Sequence, residues 1–111
     1  MISEIRNGIP WTKGDEALLT ELSKEEQIQI QVLDWIEENI IPRKTAYEGV
    51  SSYGLKHILT HDTCIYVTNN QFKHAMLLVG FEPVRSYMLN WHYCISKKSK
   101  AFDYKSRGYI A

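Results

Sequence analysis

Thr68-Asn69-Asn70-Gln71-Phe72-Lys73-His74-Ala75-Met76-Leu77-Leu78-Val79-Gly80-Phe81 is the stretch that decides the fold. Thr68 stands three residues before Gln71, the spacing of a capping box, in which each side chain satisfies a backbone N–H left open at the helix start. Phe72, Ala75, Met76 and Val79 then fall on one face at helical spacing. Gly80 follows where a helix C-terminus favours a residue free to take positive φ. The stretch therefore predicts a helix that runs straight into Phe81.

Downstream, Phe81–Arg85 and Trp91–Ser96 read as two strands joined by Ser86–Asn90. In the second, Trp91, Tyr93 and Ile95 alternate with His92, Cys94 and Ser96, the period of a strand with one buried face. Upstream, Ser51 or Ser52 can cap a helix that runs to about His61 with Leu55, Ile58 and Leu59 turned inward, ended by Asp62-Thr63. Cys64–Val67 has strand-like composition, as has Thr45–Tyr47, and Gly49 marks a turn. Further upstream, Ser23-Lys24-Glu25-Glu26 is another capping box, followed by Ile28, Val32, Trp35, Ile36 and Ile40 on one helical face with Leu33 beside them, and Pro42 stops that helix.

The order helix, short strand, helix, turn, helix, strand, loop, strand predicts an α+β fold. Its plan is a single winged-helix-like domain with three main helices and a two- or three-stranded antiparallel wing sheet. The domain is expected over residues 23–97. Residues 1–22 form an N-terminal arm with a short helix at Asp15–Leu22, and residues 98–111 a basic C-terminal tail. The chain has 111 residues, 44% of them hydrophobic and 12% aromatic, enough apolar material for one true core.

Asn70–Phe81 resembles the third helix of winged domains in phage and plasmid replication proteins, where that helix ends in a glycine and an aromatic residue and enters the wing. Ser52-Tyr53-Gly54-Leu55-Lys56-His57, Asn69-Asn70, Phe72, Ala75-Met76, Gly80-Phe81 and Leu89-Asn90-Trp91 together resemble small proteins encoded on mobile elements of Gram-positive bacteria. The resemblance implies a phage, plasmid or conjugative-element origin.

The formal net charge of zero hides a split. Residues 1–41 carry nine acids against three bases, a net of −6, and residues 42–111 carry ten bases against four acids, a net of +6. A basic half of this size suits nucleic acid. In a winged domain the outward face of the third helix offers Asn70, Lys73 and His74, with Leu77 beside them, to base edges and phosphates. Arg85 at the hairpin and Lys97, Lys98 and Lys100 beyond it add phosphate contacts. The insertion Asp62–Val67 is longer than a tight turn and could hold this helix away from a groove.

Other chemistry is weaker. His57, His61 and Cys64, with His92 and Cys94, suggest zinc, but only His57 and His61 share a face and no CxxC spacing supports them, so no metal and no cofactor is expected. Cys64 and Cys94 read as buried free thiols. Asp34, Glu37 and Glu38 read as a solvated helix face, and no phosphate-binding glycine loop exists, so the chain is expected to be a non-enzyme. Trp35 and Trp91 read as core residues, whereas Tyr53, Tyr87, Tyr104 and Tyr109 are less obviously buried and could stack on single-stranded bases or anchor a protein interface.

Two functions follow. The first is a non-enzymatic nucleic-acid-binding accessory protein of a mobile element, its partner DNA or RNA. The second is a protein-binding inhibitor of a host defence nuclease, as in anti-CRISPR proteins, using the acidic residues Glu25, Glu26, Glu37 and Glu38. No apolar run reaches the ~18 residues of a membrane span, and the N-terminus lacks the plan of a secretion signal, so a cytoplasmic location without a membrane partner is expected. Ile30, off the main face of the first helix, hints at a second buried surface and a homodimer.

Overall fold

The structure is a computed structural model that describes residues 4–6, 9–11 and 26–102. The chain runs β1 (Glu4–Arg6), β2 (Ile9–Trp11), α1 (Glu26–Asn39), β3 (Pro42–Tyr47), α2 (Ser52–Thr63), α3 (Asn69–Val79) and β4 (Tyr93–Ile95), and then a 3-10 turn at Lys100–Phe102. The result is α+β: three helices with the antiparallel pair β3–β4, plus a separate antiparallel pair β1–β2.

α3 begins and ends where its sequence directs. The Thr68 hydroxyl accepts from the Gln71 N–H at 3.1 Å, and the Gln71 side chain accepts from the Thr68 N–H at 2.8 Å, so both halves of the capping box are made. Gly80 takes φ 115 and donates to the carbonyls of Met76 and Leu77, both at 3.1 Å. The space around its Cα is open, so backbone conformation rather than crowding calls for glycine there.

α2 starts after Ser51 and ends at Thr63, close to expectation, but its capping differs. Ser51 is its N-cap but makes no side-chain capping bond, and Ser52 spends its hydroxyl on other partners. The helix runs to Thr63, and Cys64 closes it in the left-handed region at φ 61, donating its N–H to Thr60. That geometry stops a helix rather than starting a strand, so the expected strand at Cys64–Val67 is absent. Cys64 is also exposed and Cys94 only half-buried, which corrects the reading of two buried thiols.

The Ser23 cap of α1 and the expected helix at Asp15–Leu22 lie outside the described residues. Val32, Trp35 and Ile36 of α1 and Ile40 just after it are buried, while Ile30 is exposed. The Trp35 indole donates to Asp62 at 2.9 Å, which ties the middle of α1 to the end of α2. Pro42 opens β3 as well as following the helix, at a first-strand position where no N–H is needed.

The sheet differs from the expected wing. β4 pairs with β3, with Pro42 opposite Ile95 and Tyr47 opposite Tyr93. Between those partners β3 advances five residues and β4 two, so β3 bulges. Arg43 braces the bulge, its guanidinium donating to the carbonyls of Thr45 at 2.8 Å and Ala46 at 2.7 Å. Phe81–Arg85 forms no strand, and its link to the sheet is a bond from the Val84 N–H to His92 at 2.9 Å. Pro83 explains this: it lacks the N–H that a ladder requires, and its ring fixes φ.

The core joins α1 to Leu55, Ile58 and Leu59 of α2, Phe72, Ala75 and Met76 of α3, and Trp91, Tyr93 and Ile95. The alternation expected around β4 holds, since those last three are buried and His92, Cys94 and Ser96 are half-buried. Ser99 and Ala101, which follow Lys97, are buried too, and Phe102 packs against the core. Within the expected N-terminal arm, β1 and β2 are separated in sequence by Asn7-Gly8, the dipeptide most favourable to a two-residue hairpin turn.

Tyr93 supplies a test. Its hydroxyl is buried with no hydrogen-bond partner among the described residues, and burial holds its pKa well above the ordinary value of 10.0. The folded chain keeps the phenol neutral, whereas the unfolded chain ionises it from about pH 10. Its effect on stability is therefore constant below about pH 10, and stability falls as pH rises beyond that. Urea unfolding of Tyr93→Phe should give a protein at least as stable as the wild type near neutrality, because an unsatisfied buried hydroxyl is removed. Above about pH 10 the variant should lose stability more slowly than the wild type.

Candidate nucleic-acid interface

The starts of α2 and α3 and the segment 84–91 meet in one polar knot. Ser52 and Trp91 bond reciprocally: the Ser52 N–H donates to the Trp91 carbonyl at 2.7 Å, and the Trp91 N–H donates to the Ser52 hydroxyl at 3.0 Å. That hydroxyl donates in turn to the Asn69 side-chain carbonyl at 2.8 Å. The Asn69 amide donates onward to the Leu89 carbonyl at 3.2 Å and the Asn90 side chain at 2.9 Å. The Trp91 indole donates to Ser86 at 3.1 Å. A loop with little regular structure is thereby fixed at several points, and Val84, Tyr87, Met88 and Leu89 remain exposed on it.

Lys73 completes the knot and corrects a central expectation. Asn70, Lys73 and His74 were expected on an outward, groove-reading face, but they are 1%, 0% and 5% exposed. The Lys73 ammonium donates to the Leu89 carbonyl at 2.9 Å and lies 4.5 Å from the centre of the Trp91 ring. A cation held by a carbonyl and an aromatic face is satisfied inside the protein. Neither amide atom of Asn70 has a hydrogen-bond partner among the described residues. Side chains this deep cannot reach base edges. Polar residues on a helix read as its solvent face only when nothing folds over them, and here Leu89 and Trp91 lie against Lys73.

The other expected bases divide. The Arg85 guanidinium donates to Glu48, a half-exposed pair that joins the loop to the end of β3, so its charge is locally balanced. Lys97, Lys98 and Lys100 are exposed. β3–β4 pairing sets their segment against the residue before β3: Ser96 donates to the Ile41 carbonyl at 2.7 Å, and the Ile41 N–H donates to the Ser99 hydroxyl at 2.8 Å, while Arg43 and Lys44, to which the sequence alone assigns no role, follow on β3 itself. Tyr47 anchors the cluster, with the Arg43 guanidinium 5.4 Å and the Lys97 ammonium 5.8 Å from its ring centre and Phe102 edge-on at 5.5 Å. Segments 40–47 and 91–102 hold five bases and no acid. The signal in the sequence is Arg43-Lys44 just after Pro42, which becomes meaningful only once β3 is paired with β4.

Of the acidic residues, Glu37 and Glu38 are exposed on α1, Glu26 is its first residue, and Glu25 lies outside the described residues. Tyr104 and Tyr109 also lie outside them. The zinc-type residues are dispersed: His57 packs edge-on against Tyr53 at 4.6 Å and His61 faces Asp62 at 3.8 Å. Among the described residues no group of three or more His, Cys, Asp or Glu is placed to hold a metal ion, and no helix is long and apolar enough to cross a membrane. No family model, curated protein or solved structure matches the chain.

The burial of Lys73 makes a prediction that separates folding from binding. Lys73→Met should lower the unfolding free energy by about 2 kcal/mol in urea titrations, because it leaves the Leu89 carbonyl without its charged donor. Lys98→Met, at an exposed site, should change stability by less than about 0.5 kcal/mol.

Proposed function

We propose that the protein is a cytoplasmic, non-enzymatic nucleic-acid-binding accessory protein of a phage, plasmid or conjugative element, built on a winged-helix-type domain. Its binding surface is the β3–β4 sheet with the turn that follows it, and α3 serves as core. The observation that carries the reading is that Arg43 and Lys44 lie on β3 and Lys97, Lys98 and Lys100 just past its partner β4, in two segments without an acid, with Arg43 and Lys97 both at the Tyr47 ring. Such a surface neutralises backbone phosphates and releases condensed counterions, which gives salt-dependent affinity with little dependence on sequence. The helix order and the pairing of a strand before α2 with one after α3 support the winged-helix assignment.

A second reading has an observation of its own. Val84, Tyr87, Met88 and Leu89 form an exposed apolar run on a pinned loop, and Asp34, Glu37 and Glu38 are exposed on α1. Exposed apolar area of this kind suits a protein partner, as an inhibitor of a host defence nuclease would require.

Fluorescence anisotropy with labelled oligonucleotides separates the two. The double variant Lys97→Glu/Lys98→Glu should weaken binding at low salt at least about tenfold, and the slope of log affinity against log salt should fall by about 0.7–0.9 for each phosphate that is no longer neutralised. Lys73→Met should retain the wild-type slope at temperatures where it is folded. Oligonucleotide binding untouched by the double variant, or absent in the wild type at low salt, would count against the reading.

A further inference from the structure

Away from the basic sheet, α2 and the segment that follows it carry an arrangement that the phosphate surface does not explain. Lys56 is only 5% exposed, yet its ammonium lies 5.0 Å from the centre of the Tyr53 ring and 5.0 Å from that of Tyr66. The two rings are 51% and 63% exposed. Tyr53 is further oriented by the His57 ring, edge-on at 4.6 Å with 76° between planes. Tyr66 is set by the turn at Cys64, whose left-handed conformation ends α2 and redirects the chain; the Thr60 hydroxyl, donating to the Ile65 carbonyl at 2.9 Å, holds that turn.

We infer that Tyr53 and Tyr66, held to either side of Lys56, form a stacking site for unpaired nucleobases, so that the nucleic acid bound at the β3–β4 surface is single-stranded. This rests on the reading of that surface as a phosphate-binding one. Two aromatic rings kept in water contribute little to a core, whereas flat, exposed rings accept any base on a free face. The cation between them gives both rings a fixed position and adds positive potential where a negatively charged strand would pass. A protein-docking patch would be surrounded by apolar side chains, but the side chains against these rings are Lys56 and His57. Bases stacked inside a duplex cannot offer their faces, so the site selects single strands.

The two surfaces lie within reach of one ligand. Lys56 is about one helical turn, ~6 Å, from Ser52. The Ser52 N–H bonds to Trp91 at 2.7 Å, and the six residues from Trp91 to Lys97 span at most about 20 Å. The total of about 30 Å suits the 4–16 nucleotides that a single-strand-binding domain occupies.

The test is an anisotropy titration of oligo(dT) and oligo(rU) of about 16 nucleotides, and a duplex of the same length, against the full chain. Tyr66→Ala should weaken binding to one or both single strands about tenfold and leave the weaker duplex binding unchanged. Tyr66→Phe should match the wild type, and Tyr66→Leu should behave as Tyr66→Ala, because stacking needs the ring and not its hydrophobicity alone. Thermal melts of each variant confirm that this exposed site leaves folding intact. If Tyr66→Ala and Tyr53→Ala both bind single strands as the wild type does, while Lys97→Glu/Lys98→Glu does not, the stacking site is overturned and the phosphate surface stands. If the wild type binds none of the three ligands at low salt, the reading of the surface fails and the stacking site with it.

Discussion

The reciprocal bond between Ser52 and Trp91 is the constraint on which the rest depends. It fastens the first turn of α2 to the approach of β4, two segments 39 residues apart. With that contact made, Trp91 is buried, its indole captures Ser86, and its ring lies against the Lys73 ammonium. Lys73 and Asn69 then hold the Leu89 carbonyl, and the loop closes over the first turns of α3. Each bond adds only about 1 kcal/mol net, but where the network is buried, as at the Trp91 N–H, an unmatched donor costs more than a made bond contributes. The knot is therefore made as a unit.

This closure decides which parts of the molecule face solvent. A third helix with its polar turn inside cannot read a groove, and the exposed lysines lie instead just past β4. Arg43 is occupied in bracing the β3 bulge, and Tyr47 orders the surrounding cations, leaving lysines at the surface. The division is one of exposure: Lys73 is buried against a carbonyl and a ring, whereas Lys97, Lys98 and Lys100 are exposed.

Much of the fold was legible in the sequence because its signals are local. The Thr68/Gln71 box, the glycine after Val79, the apolar faces of α1 and α2, and the alternation around β4 each depend on residues a few positions apart. What escaped depended on distant partners. Lys73 reads as exposed until Trp91 and Leu89 are brought over it, and Arg43 has no evident role until β3 pairs with β4 and Lys97 shares the Tyr47 ring with it. Cys64 looked like the start of a strand since nothing local announces a non-glycine residue in the left-handed region. Pro83 and Asn7-Gly8 did carry local signals, against a strand and for a hairpin respectively, and both outweigh the composition around them.

The most direct test of the account is a backbone NMR titration of the protein with a single-stranded oligonucleotide, following every assigned amide. Shifts should concentrate at Arg43–Lys44 and Lys97–Lys100, with a second group near Tyr53 and Tyr66, while the amides of Asn70–His74 stay in place. Shifts centred on Asn70–His74, with the sheet end unmoved, would contradict it.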